Sequence, residues 1–408
     1  MNDTDDRATG KEPLYDLLHH VYLADESTQG LLLLNLIKKI LLENKNRILE
    51  LNNSDSFATL VTNLLSENKE IVTISGQILC LLLANEQIHF DRDSIQGLIF
   101  TLFKPCRQTS IRILIVFSEL LNNLAKYYKS DVLNERNWSH ISDMIIYNFM
   151  NIAQPIRLAA YRMLKDLSST QQGCESIHAL PFFDQIMVDF KEAKFIFQEY
   201  IIEIILNFMK LSVDYQRYFY QNGLMDQILS LVTSRKHLVC KQTMDCVMLL
   251  LESRILSCSE LIEYGLLGCF VFNFTSFDPV DPQQFEINKS GLGIIDFLIK
   301  NSSILETEYM IKNGIIAALC DLIGNRAYNK LTLNALKVMC NLFTKIEDSN
   351  RQIVLDKLVI SQLSFSPSHA EFSRINQLNE IVNSENYEQD CQTYAQNVLE
   401  LVRPYLSK

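Results

Sequence analysis

Six residues that can form hydrogen bonds recur at intervals of 42 along the chain: Asn35, Gln77, Glu119, Tyr161, Glu203 and Asp245. Amides, carboxylates and a phenol can bond the backbone of a bound peptide and pair with its side chains. One helical turn later, the same interval places Lys39, Leu81, Asn123, Lys165, Asn207 and Leu249. This spacing indicates binding groups repeated along a face and does not resemble a single reaction centre.

Two further columns with the same interval are apolar throughout. They lie two and six residues after the polar column and comprise Ile37, Leu79, Leu121, Met163, Ile205 and Val247, then Leu41, Leu83, Ala125, Leu167, Met209 and Leu251. Such columns predict amphipathic helices whose polar side faces solvent. One interval in the second half of the chain is seven residues longer than 42. Beyond it, we place Asp296, Lys337 and Asn341 on the same polar side of the helices. For any single residue, the simpler alternative is a solvated helix surface without a partner.

The interval of 42 residues belongs to a repeat of nine units. We call the equivalent position in each unit its frame position, and these positions are Pro13, Asp55, Gly97, Ser139, Pro181, Gly223, Gly265, Gly314 and Asp356. The second residue after each frame position is apolar, from Tyr15 to Leu358. A fixed period in this range predicts a solenoid of stacked units, none of which buries its apolar side alone.

The clearest units run over 211–252 and 304–345. Each predicts a short helix ended by Asn-Gly, a medium helix over 224–232 or 315–323, and a long helix over 239–251 or 331–343. Glycine at 223 and 314 can adopt the left-handed conformation that closes a helix and turns the chain.

This order of helices resembles the armadillo repeat. Gln154–Leu164 is similar to the family's third helix, and Asp348–Val354 to the start of its first helix. The resemblance covers roughly residues 13 to 385 and implies an all-α, right-handed α-solenoid of about nine armadillo-like units. It also implies that the third helices line a concave groove, so that the polar column would face a bound partner.

The nuclear-import adaptors of that family carry ladders of tryptophan and asparagine one turn apart. Asn123, Asn207 and Asn341 partly match the asparagine ladder, whereas the tryptophan positions hold other residues, among them Lys337. Without indole rings the cation–π clamp on a bound lysine is lost. The sequence therefore disfavours import-adaptor function.

Composition limits the other functional classes. Apolar residues make up 48% of the chain, Gly (12) and Pro (8) are scarce, and the formal net charge is −11. The charge argues against direct nucleic-acid binding and mildly favours a basic partner, although it can simply keep a long protein in solution. The apolar stretch Leu31–Leu42 is too short to span a membrane, and the polar start of the chain does not resemble a signal peptide. With no Cys-x-x-Cys pair, we expect reduced thiols and an intracellular protein in the cytoplasm, the nucleus or both.

The predicted domain boundaries are a disordered tail over 1–12, one repeat domain over 13–400 and a C-terminal tail over 401–408. A loop insertion is predicted near 275–287, where two Asp-Pro pairs oppose a continuing helix, and an irregular stretch over 364–369.

Catalytic, cofactor-binding and metal-binding motifs are missing from the sequence. We therefore expect a non-catalytic adaptor that binds an extended or helical segment of a protein partner in its groove, with Tyr161 as an aromatic anchor. The alternatives are a regulatory subunit of an enzyme complex, or a transport or chaperone cofactor that uses a rim or convex surface.

Overall fold

The computed structural model describes residues 13–23, 28–103, 110–192, 195–275, 282–323, 329–347, 374–384 and 386–406. Over these residues all regular secondary structure is helical, with no strand, which confirms the predicted all-α class. The chain divides into two compact units, Met1–Val188 and Asp189–Lys408.

The helices of the first unit alternate between short or medium and long. They are α1 (Leu14–Leu23), α2 (Thr28–Glu43), a 3₁₀ helix (Lys45–Leu51), α3 (Ser54–Asn63), α4 (Lys69–Leu83), α5 (Arg92–Phe103), α6 (Ile111–Tyr127), α7 (Lys129–Val132), α8 (Glu135–Phe149), α9 (Gln154–Ser168) and α10 (Gln171–His178). The boundary between the two units, Val188 to Asp189, falls within the sequence of helix α11 (Gln185–Glu192).

The second unit repeats a short, a medium and a long helix more regularly. Its helices are α12 (Phe195–Leu211), α13 (Val213–Gln221), α14 (Leu224–Val232), α15 (His237–Glu252), α16 (Cys258–Glu263), α17 (Leu266–Thr275), α18 (Pro282–Asn301), α19 (Ile304–Lys312), α20 (Ile315–Ile323), α21 (Asn329–Glu347), α22 (Arg374–Asn383) and α23 (Gln389–Leu406).

Helices of the same kind pack side by side within each unit. The long helices contact in the order α2, α4, α6, α9 in the first unit and α12, α15, α18, α21, α23 in the second. The medium helices form a second layer, through α1, α3, α5 and α8, and through α14, α17 and α20. Each unit is therefore a stack of repeats in which successive long helices share one face.

Among the described residues glycine closes three of the short helices, two of them, at 223 and 314, as the sequence predicts. Gly223, Gly265 and Gly314 have φ values of 86°, 76° and 87°, in the left-handed region that L side chains rarely adopt. The medium helices α14, α17 and α20 begin at the next residue in each case. This turn sets the angle at which the medium helix leaves the short one.

Every residue of the two predicted apolar columns is buried. Each long helix thus buries one side against its neighbours and the medium-helix layer, and turns the opposite side to solvent. The burial predicted for these two columns is therefore confirmed.

Two predicted boundaries are wrong. Residues 282–287, expected in a loop, form the first turns of α18, because proline is compatible with the first position of a helix. Residues 401–406 of the predicted C-terminal tail belong to α23, where Val402 is fully buried. The predicted tail over 1–12, the stretches 276–281 and 364–369, and the segment 348–354 lie outside the described residues.

Candidate protein-binding face

The predicted polar residues lie on the long helices and, with one exception, reach the surface. We call Asn35, Gln77, Glu119, Asn123 and Lys165 the N-terminal polar face, and Glu203, Asn207, Asp245, Lys337 and Asn341 the C-terminal polar face. Asn35, Glu119 and Lys337 are exposed, and the other residues of both faces are half-buried.

Tyr161 is the exception, because its side chain is only 1% exposed. Its ring lies 5.2 Å from the ring of Phe149, which in turn stacks on Phe182 at 4.0 Å. A large aromatic side chain gains more from burial in such a cluster than from contact with water. The prediction that Tyr161 anchors a partner at the surface is therefore wrong.

A one-residue shift in register accounts for this error. Helix α6 begins 42 residues after α4 (111 − 69), whereas α9 begins 43 residues after α6 (154 − 111). Arg162, which is exposed, consequently occupies on α9 the position that Glu119 occupies on α6. The Gln154-Pro155 pair is the sequence feature that could have located the start of α9, since proline is favoured in the first turn of a helix.

Polar bonds link adjacent long helices on the N-terminal polar face. The Lys38 ammonium donates to Oε1 of Gln77 at 2.6 Å, joining α2 to α4. The Asn123 amide donates to the carbonyl oxygen of Cys80 at 3.2 Å, joining α6 to α4. Because an amide carries two N–H donors and an oxygen, one interhelical bond does not exhaust its capacity. On α9, Lys165 pairs with the adjacent Asp166 at 3.2 Å.

On the C-terminal polar face, three bonds that link adjacent long helices end on carboxylates. Gln242 of α15 donates to Oε2 of Glu203 on α12 at 3.1 Å, and Ser290 of α18 donates to Oδ1 of Asp245 on α15 at 3.2 Å. Asn341 of α21 donates to Oδ1 of Asp296 on α18 at 2.8 Å. The repeated donor and acceptor hold neighbouring helices in register.

These carboxylates differ in how far their charge is compensated. Lys241 lies 2.8 Å from Asp245, and Lys300 lies 2.5 Å from Asp296. The Gln242 amide on Glu203 carries no charge, so this bond leaves the negative charge of Glu203 in place. The C-terminal polar face is accordingly acidic at α12 and closer to neutral at α15.

A pocket of about 290 Å³ opens at the end of the C-terminal polar face, between α18, α21 and α23. Three of the residues around it, Asp296, Lys337 and Asn341, were placed on this side from the sequence; Lys289, Lys300, Asn334 and Tyr394 were not. The Lys337 ammonium lies 5.4 Å from the centre of the Tyr394 ring, within cation–π range. Lys289 and Lys300 could have been found from their positions seven residues before and four residues after Asp296. Tyr394 could not, because α23 lies outside the regular interval.

Cysteine chemistry is suppressed by burial. The cysteines of the described residues are free thiols, and burial raises the pKa of Cys174 and Cys240 to about 12. Such thiols stay protonated at neutral pH and are poor nucleophiles.

Among the described residues no group of three or more His, Cys, Asp and Glu side chains could hold a metal ion. Within that same part of the chain, no helix has both the length and the apolar character needed to cross a membrane.

Comparison with known proteins identifies the fold. No protein-family model and no curated protein matches the chain. An engineered protein of known structure matches with a TM-score of 0.66 at 13% identity, covering 95% of this chain and 88% of that one. A designed armadillo repeat protein matches with a TM-score of 0.50 at 13% identity, covering 59% of this chain and all of the designed chain. At such low identity the likeness concerns the fold alone. Together with the stacked short, medium and long helices, it shows that this chain has an armadillo-like repeat fold.

Proposed function

We propose that the chain is a non-catalytic scaffold that binds a segment of a partner protein on the polar faces of its long helices. One observation carries the proposal: successive long helices each present hydrogen-bonding side chains on the same side, above columns that are fully packed. A face of this kind offers repeated donors and acceptors to an extended backbone.

The spacing of packed helices suits an extended segment. Neighbouring helix axes lie about 8–10 Å apart, and an extended chain advances about 3.3 Å per residue. A segment crossing the face would therefore move from one long helix to the next in about three residues. Because interhelical bonds already hold Gln77, Asn123 and Glu203, these side chains lose less conformational entropy on binding.

Charge suggests the chemistry of the partner near the acidic helices. Glu119 is exposed on α6, and Glu203 accepts its hydrogen bond from an uncharged amide. Basic side chains of an intracellular protein segment would complement these positions, whereas the formal net charge of −11 opposes a nucleic-acid backbone.

The test compares partners captured by the full-length chain and by two charge-reversal variants. Glu203→Lys changes the polar face, and Glu263→Lys makes the same change at an exposed site on the short helix α16. We expect a partner that is retained by wild type and Glu263→Lys, and whose affinity falls about tenfold or more with Glu203→Lys. Equal retention by all three proteins would contradict binding on this face.

A second candidate function uses the medium-helix layer, as a regulatory subunit or a transport or chaperone cofactor would. A pocket of about 430 Å³ lies between α5 and α8, lined in part by Arg136 and His140. Phe100, also on its wall, is 56% exposed and adds an apolar surface to the pocket. Partner loss with Phe100→Ala, together with retention by Glu203→Lys, would favour this surface.

A further inference from the structure

We infer that the pocket between α18, α21 and α23 binds an acidic side chain of the partner segment. We call it the lysine pocket and define it by Lys289, Lys300, Lys337, Asp296, Asn341 and Tyr394. The inference rests on the proposed function and adds the charge pattern of the bound segment along the face.

The charge of the lysine pocket is opposite to that of the whole chain. Three lysines and one aspartate line it, which gives a formal charge of +2 (3 − 1) in a protein of net charge −11. Lys300 is the lysine that compensates Asp296, at 2.5 Å. Lys337 instead stands over the Tyr394 ring, and Lys289 lies 3.8 Å from Glu286, at the outer limit of an ion pair. Two ammonium groups are thus left with weak partners, and a carboxylate would complement them.

The neighbouring groups complete a site for a carboxylate. Asn341 is oriented by its bond to Asp296, and the amide of Asn334 lies in the same wall. The Tyr394 ring supplies an apolar surface for the methylene groups of an incoming side chain. A cavity of about 290 Å³ also has room for the carboxylate with some of its water.

The position of the lysine pocket favours a peptide over a nucleic acid. It lies on the same unit and on the same side of the long helices as Glu203 and Asp245. A polyphosphate backbone crossing this face would meet those carboxylates, whereas a peptide can carry both signs of charge. The bound segment would therefore place basic residues at α12 and an acidic residue at the lysine pocket.

The experiment measures fluorescence polarisation of labelled peptides with the full-length chain. Two probes of about twelve residues, enough to cross the face, alternate Glu with Ala or Gln with Ala. The pocket variant is Lys289→Gln with Lys337→Gln. The control, Lys69→Gln with Lys330→Gln, removes the same charge at exposed sites outside the pocket. All four lysines are surface residues, so circular dichroism should show unchanged helix content.

We expect the Glu-Ala peptide to bind wild type and control about tenfold more tightly than the Gln-Ala peptide. The pocket variant should lose this difference, and raising the salt from about 0.05 M to about 0.5 M should reduce it in the wild type. Equal binding of both peptides by wild type, or an unchanged difference in the pocket variant, would overturn the inference. Tighter binding of an oligothymidylate of matched charge would also overturn it.

A third peptide, Lys-Ala, separates this inference from the proposed function. If Lys-Ala binding is lost with Glu203→Lys while Glu-Ala binds no better than Gln-Ala, the polar face binds peptides and the lysine pocket does not take an acid. If none of the three peptides binds, the lysine pocket is excluded as an acid site for peptides of this length, while the partner-capture test of the face remains independent.

Discussion

Single residues on the long helices have a structural role beside the binding role that we propose for them. Glu203, Asp245 and Asp296 each accept a bond from the next long helix, yet each remains at the surface of its own helix. Such a bond stabilises the packing of the two helices, and it also restricts the rotamers of the side chain. A restricted side chain is a better ligand for a flexible segment.

Tyr161 should matter for stability and not for partner binding. Tyr161→Ala removes a ring that is buried against Phe149, and loss of a buried aromatic side chain costs about 3–5 kcal/mol. Urea unfolding should show this loss. The control, Tyr147→Ala, changes a tyrosine on α8 that is 45% exposed, and should have a small effect. Equal midpoints for Tyr161→Ala and wild type would contradict the burial of the ring.

Two glycines three residues apart should respond to alanine with opposite signs. Gly265 has φ 76°, where a Cβ is unfavourable, so Gly265→Ala should destabilise the protein by about 1–2 kcal/mol. Gly268 lies in α17, where Gly268→Ala should stabilise by up to about 1 kcal/mol. A Cβ would meet no atom within 4 Å at either site, so packing does not enter the comparison. Thermal melts measure both effects. If the two variants shifted the midpoint of unfolding in the same direction, the backbone conformation at these two positions would not determine the effect of alanine.

At the scale of the helix, the long helices differ in whether a side chain caps their first turn. The Asn68 side chain accepts hydrogen bonds from the backbone N–H groups of Glu70 and Ile71 at the start of α4. Asn68→Ala should therefore cost about 1 kcal/mol. Ser110 caps α6 without a side-chain bond, so Ser110→Ala should cost much less. Chemical denaturation of both variants checks the difference, and equal losses would show that cap bonding does not control these helix ends.

The capping box of α16 should make the stability of the second unit depend on pH. Hydrogen bonds from the side chain and then the backbone of Ser257 hold the pKa of Glu260 below its usual range. A lowered folded-state pKa means that the stabilisation is present above the unfolded value, about 4.3, and is lost as pH falls through the folded-state pKa.

The unfolding free energy of wild type should therefore exceed that of Glu260→Gln at neutral pH, with the gap closing below about pH 4. Urea titrations at several pH values measure the gap. Glu263→Gln, on the same helix outside the capping box, is the control and should follow the wild type. A gap that stayed constant with pH would exclude the carboxylate of Glu260 as its source.

At the scale of the whole molecule, each unit depends on its stack of long helices. Helix α23 packs on α21, where Cys391, Val398 and Val402 are all fully buried. In a repeat stack each helix covers the apolar side of its neighbour. Val402, which lies beyond residue 400, is therefore part of the core of the second unit.

Deletion of residues 401–408 should destabilise the protein, because it removes Val402 and the last turns of α23. The expected result is a lower midpoint of thermal unfolding, followed by circular dichroism. Deletion of residues 407–408 alone, which leaves α23 complete, is the control. If both deletion variants had the same melting midpoint as the full chain, the part of α23 beyond residue 400 would contribute nothing to stability.

The sequence alone predicted the repeated helices, the buried columns and the left-handed glycines at 223 and 314. These features depend on local periodicity and on the conformational freedom of single residues, both of which can be read along one chain. The same periodicity placed Glu203, Asp245 and Asn341 on one side of the long helices, because burial of the flanking columns fixes the orientation of each helix.

Tertiary structure decided the rest. An extra residue between α6 and α9 turned Tyr161 into the core and Arg162 to the surface, and a fixed interval does not detect such a shift. Two contacts join residues that are far apart in sequence: the hydrogen bond between Gln242 and Glu203, and the cation–π contact between Lys337 and Tyr394. Such contacts depend on the distance and angle at which whole helices pack, which are set by the summed fit of many side chains rather than by any local pattern.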